Sequence, residues 1–399
     1  MKLRFCWWWL VVTLLLGACA SVPTLPTTAD LFHDSWFQPP SVPIDAGEVF
    51  ALTDRMRDYV HTDIAPQLRR DGNQLGLFNA LRDSGQLKLE YDAAITRNAA
   101  EAFSARTGNC LSLAILTAAL ADEIGLDVQF QNVLGERTIS RNGDLLFYND
   151  HVNLELRDTR NDDRSVATGK VAMVIDFLPA RDRRGRAVRS VSKPTLLAMY
   201  MNNRAAESLA AGKIDDAYWW ARAAIQQEPR YTATYNTLGV IYRRHGQTQT
   251  ALSLLNYALT LEPGNIAAMS NIIPLLEGVG KTRESAQWQQ RLRQLQSLPP
   301  FYFFEQGRLA MQEQQFERAR ELFAKEIERT KYYHEFHFWL GLAYVGLHQP
   351  ELARKHFAIA EANATTRADA KRYQEALDAL GPSPRKRGGL KPNGLGLWP

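Results

Sequence analysis

The chain has 399 residues, a formal net charge of +4 and 45% hydrophobic residues. That composition is ordinary for a globular protein, and the length suits two domains, or one domain and a repeat array. Arg385, Lys386, Arg387 and Lys391 put four positive charges in an acid-free tail from Pro382, so the rest of the chain is neutral and offers no basic patch for a nucleic-acid partner.

"MKLRF" is a short basic start, and "CWWWLVVTLLLGA" follows it, an apolar run too short for a comfortable membrane span. That order reads as a secretory signal peptide over residues 1–18. Leu16-Gly17-Ala18-Cys19 resembles a bacterial lipobox. The resemblance implies that Cys19 becomes the first residue of the mature chain and carries lipid, holding the protein on a membrane and facing the periplasm. An ordinary signal peptide with a chance cysteine is the alternative. Two or three acyl chains anchor a protein stably where one does not. Ala20, rather than Asp, follows the cysteine, which resembles an outer-membrane sorting signal. Residues 19–45 are rich in Pro, Ser and Thr and are expected to form a tether.

Residues 46–192 have the pattern of an α+β domain. Phe50, Leu52, Met56, Tyr59 and Val60 have helical spacing within 47–68, and 93–105 is a second helical candidate. From Cys110 to Ile124, "CLSLAILTAALADEI" carries Leu, Ile and Ala on almost every face, which predicts a buried helix. Asn109 suits its N-cap, so Cys110 falls in the first turn. "LDVQFQNV" and "HVNLELRD" alternate as strands do, and "KVAMVIDFLP" suits a buried strand. Asn142-Gly143 and the polar stretch 158–165 mark turns between them. Helices first and strands second favour α+β, with a boundary near residue 192.

Of three cysteines, Cys6 belongs to the signal and Cys19 to the anchor, which leaves Cys110 as a lone thiol in the body. A spare thiol is a liability in an oxidising compartment. The positive end of a helix favours an anion, and the thiolate is the nucleophilic form of cysteine. The bland alternative is a buried cysteine acting as a small hydrophobe. A thiolate enzyme needs a base and a group to orient it. His151 lies on one strand face with Asn153 and Glu155, opposite Val152, Leu154 and Leu156; it is a candidate base or a solvated surface residue. Asp176 interrupts an apolar strand, and a carboxylate there needs a donor such as an imidazole N–H. Its alternative place is the strand's exposed end, paired with turn amides ahead of Pro179.

Cys at a helix start, then His on one strand, then Asp on a later strand, resembles the transglutaminase-like superfamily, over roughly residues 46–190. "RTGNCLSLAILTAALADEIGLDV" is similar to that family's nucleophile segment, "DHVNLEL" to its histidine strand and "VIDF" to its aspartate strand, although the aromatic residues common in the last two are missing. The resemblance implies a papain-like fold with Cys110 as nucleophile, His151 as general base and acid, and Asp176 holding the imidazole. It implies acyl transfer on an amide or ester, with hydrolysis expected over transglutamination, and no cofactor or metal.

The second half repeats. Ala205, Gly239, Gly307 and Gly341 stand 34, 68 and 34 residues apart, and Ala217, Ala251, Ala319 and Ala353 keep the same intervals. Pro229 and Pro263 are 34 apart, and Leu238-Gly239 with Tyr242 matches Leu340-Gly341 with Tyr344. These positions resemble the tetratricopeptide repeat, in five units over 198–367, with a degenerate third unit bearing Ile273 and Ser285 at the small-residue positions. The expected architecture is a papain-like α+β domain followed by an all-α solenoid, a capping helix over 368–381 and a basic, Gly- and Pro-rich tail over 382–399. Such arrays take protein or peptide partners. His334 and His337 have i,i+3 spacing but no third ligand, and Trp219-Trp220 and Tyr302-Phe303-Phe304 suit helix packing. The sequence therefore reads as an envelope-anchored cysteine peptidase or amidase with a protein-binding array. A non-catalytic adaptor assembling an envelope complex is the alternative.

Overall fold

The structure, a computed structural model, describes residues 31–81, 87, 89–93, 95–142, 145–158, 172–177, 187–295, 298, 300–331 and 333–381. The expected signal peptide, Cys19, the first part of the expected tether and the basic tail lie outside the described residues. Among the described residues no helix is long and apolar enough to cross a membrane.

The helical stretch expected over 47–68 is broken. A 3-10 turn covers Gly47–Val49, and Thr53, accepting from the Met56 N–H, caps α1 (Asp54–Asp58). A π-helical turn over Tyr59–Asp63 then leads to α2 (Ala65–Asp71). Pro66 is the physical reason for the break, because it lacks the N–H that would bond back into a continuous helix and sits comfortably only in a first turn. Gly72, at φ 79°, turns the chain into α3 (Asn73–Leu81). The helix expected over 93–105 starts late, as α4 (Ala99–Ala105). Asn98 accepts from the Glu101 N–H at 2.8 Å and the Glu101 carboxylate accepts from the Asn98 N–H at 3.0 Å, a closed capping box that fixes the start.

Two short strands, β1 (Glu90–Tyr91) and β2 (Thr107–Gly108), pair in parallel just ahead of α5 (Cys110–Glu123). A long antiparallel hairpin, β3 (Leu126–Asn142) and β4 (Leu145–Asp158), forms the centre of a sheet in the order β5-β4-β3-β6, with β5 (Met173–Ile175) and β6 (Val188–Val191) on the edges. All three pairings are antiparallel. The last expected strand is shorter than its apolar run, ending at Ile175 so that Asp176 follows the strand rather than lying inside it. Helix α5 is buried on nearly every side, from Leu111 to Ala121, and packs on β3 and β4.

From residue 193 the chain is a run of helix hairpins. α6 (Lys193–Ala210) packs on α7 (Ile214–Gln227), α8 (Thr232–Arg244) on α9 (Thr248–Leu261) and α10 (Ile266–Gly278) on α11 (Thr282–Leu295). α12 (Tyr302–Gln312) then pairs with α13 (Phe316–Arg329) and α14 (His334–Gly346) with α15 (Pro350–Ala362), and α16 (Arg367–Ala379) closes the run. The repeated small residues have a steric cause. A Cβ at Gly307 would meet the Phe323 ring at 2.5 Å, and one at Gly341 would meet Phe357 at 2.4 Å. At Gly239 the neighbour is Leu255, at 3.0 Å. In each hairpin the glycine admits a large side chain sixteen residues later. Ala217, Ala251, Ala319 and Ala353 are all fully buried. The degenerate third unit divides the apolar core. One core joins the body to the helices up to Leu276, and a second begins at Phe301. Between them, α11 buries only Ser285, which bonds Glu277 at 3.0 Å.

Within the stretch expected to form a tether, residues 31–41 make contacts with the helical array. Leu31 and Phe37 are buried, and this segment lies against α7 and α8.

Candidate functional site

Helix α5 begins at Cys110 because Asn109 caps it. Asn109 is extended, at ψ 175°, and its Oδ1 accepts from the Ser112 N–H at 2.9 Å and from the Ser112 hydroxyl at 2.8 Å. Such a cap stabilises a helix by ~1 kcal/mol. Gly108 has to be glycine, since a Cβ there would lie 2.6 Å from that of Ser112. Cys110 itself is half-buried and free.

The strand β4 carries His151 opposite Val133, at the residue where the β3–β4 register shifts towards Arg137. Its neighbours on that face are polar: Asn153, opposite Gln131, and Glu155, opposite Gln129. Gln131 donates to Glu155 at 2.8 Å, and Arg157 donates to both Glu155 and Gln129. The face is not solvated at His151, which is 2% exposed. Asp176, just beyond β5, brings its Oδ1 within 3.0 Å of His151 Nε2. The carboxylate is therefore paired with imidazole across the sheet.

Nε2 faces Asp176, so Nδ1 is the ring nitrogen left for another partner; it is buried without a well-formed hydrogen bond. Burial alone pushes the His151 proton affinity down. The hydrogen bond that the ring donates to Asp176, then the hydrogen-bonding and charge effects of Cys110, then the Asp176 charge, outweigh it and raise the pKa to about 9. The three residues thus act on one another electrostatically. A ring with one nitrogen on a carboxylate, the other left without a hydrogen bond, and a cysteine that favours its charged form can hold a proton and release it to a leaving group.

Thr96 is a site residue that sequence reasoning passed over. Its hydroxyl accepts from Asn109 Nδ2 at 2.8 Å, and Ser112 Oγ accepts from the Arg97 N–H at 2.8 Å. Thr96 is in turn held by the helical array. Its N–H donates to Glu207 at 2.7 Å and its carbonyl accepts from Arg204 at 3.0 Å, both from α6. Burial pushes the Glu207 carboxyl up, against the lowering effect of the Thr96 bonds. At the far end of the array, Thr365 accepts from the Ala93 N–H at 2.6 Å and Arg367 pairs with Glu90 at 2.7 Å. Both ends of the array therefore grip the loop that orients Asn109, the residue before Cys110. Asn109 was readable as a cap, but its second bond joins residues 13 apart across a loop and has no local pattern.

His334 and His337 do not converge. His334 bonds Tyr373 at 2.6 Å and Thr365 at 3.1 Å, whereas His337 bonds the Lys331 carbonyl at 2.9 Å and His356 at 3.1 Å. Trp219 and Trp220 also part: Trp220 is buried against Tyr200, and Trp219 turns to the 31–45 segment.

No protein-family model matches the chain, and no curated protein matches it. Similar solved structures are tetratricopeptide proteins. MamA from Desulfovibrio magneticus RS-1 is 15% identical, with 45% of this chain and 97% of that one covered and a TM-score of 0.25. YrrB, a TPR protein with an unusual peptide-binding site, is 16% identical, with 45% and 92% covered and a TM-score of 0.25. The Cut9–Hcn1 hetero-tetramer of the APC/C is 16% identical, with 46% and 36% covered and a TM-score of 0.28. Likeness at this level assigns no function.

Proposed function

We propose that this chain is a polypeptide-binding repeat protein whose α+β body carries a cysteine acyl-transfer site of the transglutaminase-like, papain-fold kind. The supporting observation is the buried His151–Asp176 pair at 3.0 Å, with Cys110 acting on the same ring. In this reading the Cys110 sulfur attacks an amide or ester carbonyl as a thiolate paired with the His151 imidazolium. The N–H of Cys110, at the helix start, donates to the developing oxyanion. His151 gives its proton to the leaving amine as the carbon–nitrogen bond breaks, leaving a thioester on Cys110. Water, losing a proton to His151, then attacks the thioester; the acid leaves and the sulfur is freed. An amine in place of water would make the reaction transglutamination. Asp176 keeps the ring oriented and stabilises its charged form.

The test is a thiol-reactive amide or epoxide probe. Fast labelling of Cys110 that is lost in His151→Ala is the expected result. Labelling at the rate of an ordinary free thiol overturns the catalytic reading and leaves the second one, a non-catalytic adaptor. That second reading is favoured by the array itself, which already holds a polypeptide segment, residues 31–42, on its surface.

The same proposal keeps Cys19 as a lipid-bearing residue that anchors the protein on the periplasmic face of the outer membrane. A Cys19→Ala chain should move to the soluble fraction, and its retention in the membrane would contradict the anchor.

A further inference from the structure

After a helical Leu31, residues 32–42, "FHDSWFQPPSV", contain no regular structure beyond one 3-10 turn at Asp34–Trp36, yet side chains of α7 and α8 hold the main chain of this stretch. Asp215 accepts from the Gln38 N–H at 3.0 Å, and Asp216 accepts from the Ser41 N–H and hydroxyl, both at 2.7 Å. Trp219 Nε1 donates to the Gln38 carbonyl at 2.6 Å. The Tyr242 hydroxyl donates to the Leu31 carbonyl at 2.9 Å and accepts from the His33 N–H at 3.2 Å.

Two side chains add specificity. Phe37, 5% exposed, stacks on Tyr218 with ring centroids 3.9 Å apart and an interplanar angle of 4°, and His245 lies 4.5 Å away. Asp34 accepts from the Tyr218 hydroxyl at 2.5 Å and from Arg222 Nε at 3.0 Å. A surface that grips main-chain groups for affinity and offers pockets to spaced side chains for specificity is built to take an extended polypeptide. Pro39 and Pro40 keep the segment extended after its anchor. The fit is also incomplete. A cavity of about 530 Å³ remains beside Gln38, Pro39 and Ser41, walled by Lys213, Asp215 and His245, and His245 Nδ1 is buried without a hydrogen bond.

We propose that the surface of α7 and the C-terminal end of α8 is a peptide site for an extended partner segment with an acidic residue three positions before an aromatic one, and that residues 33–41 fill it in cis as an exchangeable strap. The Asp34–Arg222 pair reads the acid and the Tyr218 face reads the aromatic ring. This inference rests on the reading of the array as a polypeptide-binding surface and names its occupant. A ligand on a short connection has an effective concentration of about millimolar, so the strap excludes an equivalent peptide until it is weakened or outcompeted.

The probe is a fluorescent synthetic peptide of residues 31–42, added to the full-length chain and to the full-length D34A/F37A chain, whose folding is checked by circular dichroism. The D34A/F37A chain should bind the peptide at least about tenfold more tightly than the wild type, because its own strap no longer competes. Adding R222A and D216A should remove that gain. A folded D34A/F37A chain that takes the peptide no better than the wild type overturns the proposal. Binding that survives R222A and D216A overturns it too, but leaves polypeptide binding elsewhere on the array standing. Should D34A/F37A fail to fold, a protease site inserted between Pro43 and Ile44 serves instead: exchange of the cut strap for labelled peptide is expected, and its permanent retention overturns the proposal.

Discussion

His151 in the body is 2% exposed and His337 in the array is 5% exposed, yet their proton affinities are shifted in opposite directions. Burial pushes His337 down, and the hydrogen bond to the Lys331 carbonyl does not reverse it. Its neighbour His356 is lowered to about 4, chiefly by burial. The same desolvation acts on His151, but its hydrogen bond to Asp176 and the influence of Cys110 outweigh it, and the pKa rises to about 9. Burial sets the cost of the charge, and the partner decides whether the charge is kept. The array histidines also form a directed chain. Lys331 C=O accepts from His337 Nε2–H, so His337 Nδ1 is the acceptor for His356 Nδ1–H. That chain uses neutral rings as packing elements.

The contrast can be broken first at the sulfur. C110A should abolish probe labelling at this position altogether, and H151A should slow it by about 10²–10⁴-fold, the usual contribution of a positioned acid–base group; mass spectrometry of labelled peptides reads both. D176N keeps the side chain's shape but removes its charge, turning His151 into a histidine like those of the array. Its proton affinity should fall to or below the ordinary value, with about 10²–10⁴-fold slower labelling and a shifted pH profile, measured as rate against pH.

A smaller effect is expected at the loop that the array holds. T96V leaves Asn109 Nδ2 without its acceptor and should slow labelling about tenfold with the His151 titration unchanged, since one hydrogen bond is worth ~1 kcal/mol. T96S should restore the rate.

The smallest effects concern stability, and their signs oppose each other. The folded pKa of His151 lies above the ordinary 6.5, so its contribution is full below 6.5 and is lost as pH rises through about 9. The folded values of His337 and His356 lie below 6.5, so their contribution is full above 6.5 and is lost as pH falls toward about 4. Urea midpoints should therefore decline on the acid side in a way that H356Q flattens and H151A does not, and an unchanged acid slope in H356Q contradicts this assignment.

The array was the most readable part of the molecule, because each glycine faces a bulky side chain at a constant offset and the period survives even where Ile273 replaces the glycine. The start of α5 was readable from Asn109. Asp176 was conspicuous because a carboxylate among apolar residues must find a donor, and it meets His151. The break at Pro66 was written in the chain, but apolar spacing masked it. The strap left no pattern at all: a Pro-rich, aperiodic stretch looks like a tether, and its partners lie 175 to 211 residues away. Thr96 was hidden likewise, since its bonds to Glu207 and Arg204 span more than a hundred residues.

The most direct test is an NMR titration of the His151 ring in the full-length protein. A midpoint near 9 in the wild type, falling to or below 6.5 in D176N, is the predicted result. A wild-type midpoint at or below 6.5 would mean that burial wins at His151 as it does at His337, and would contradict a charged imidazole poised between Cys110 and Asp176.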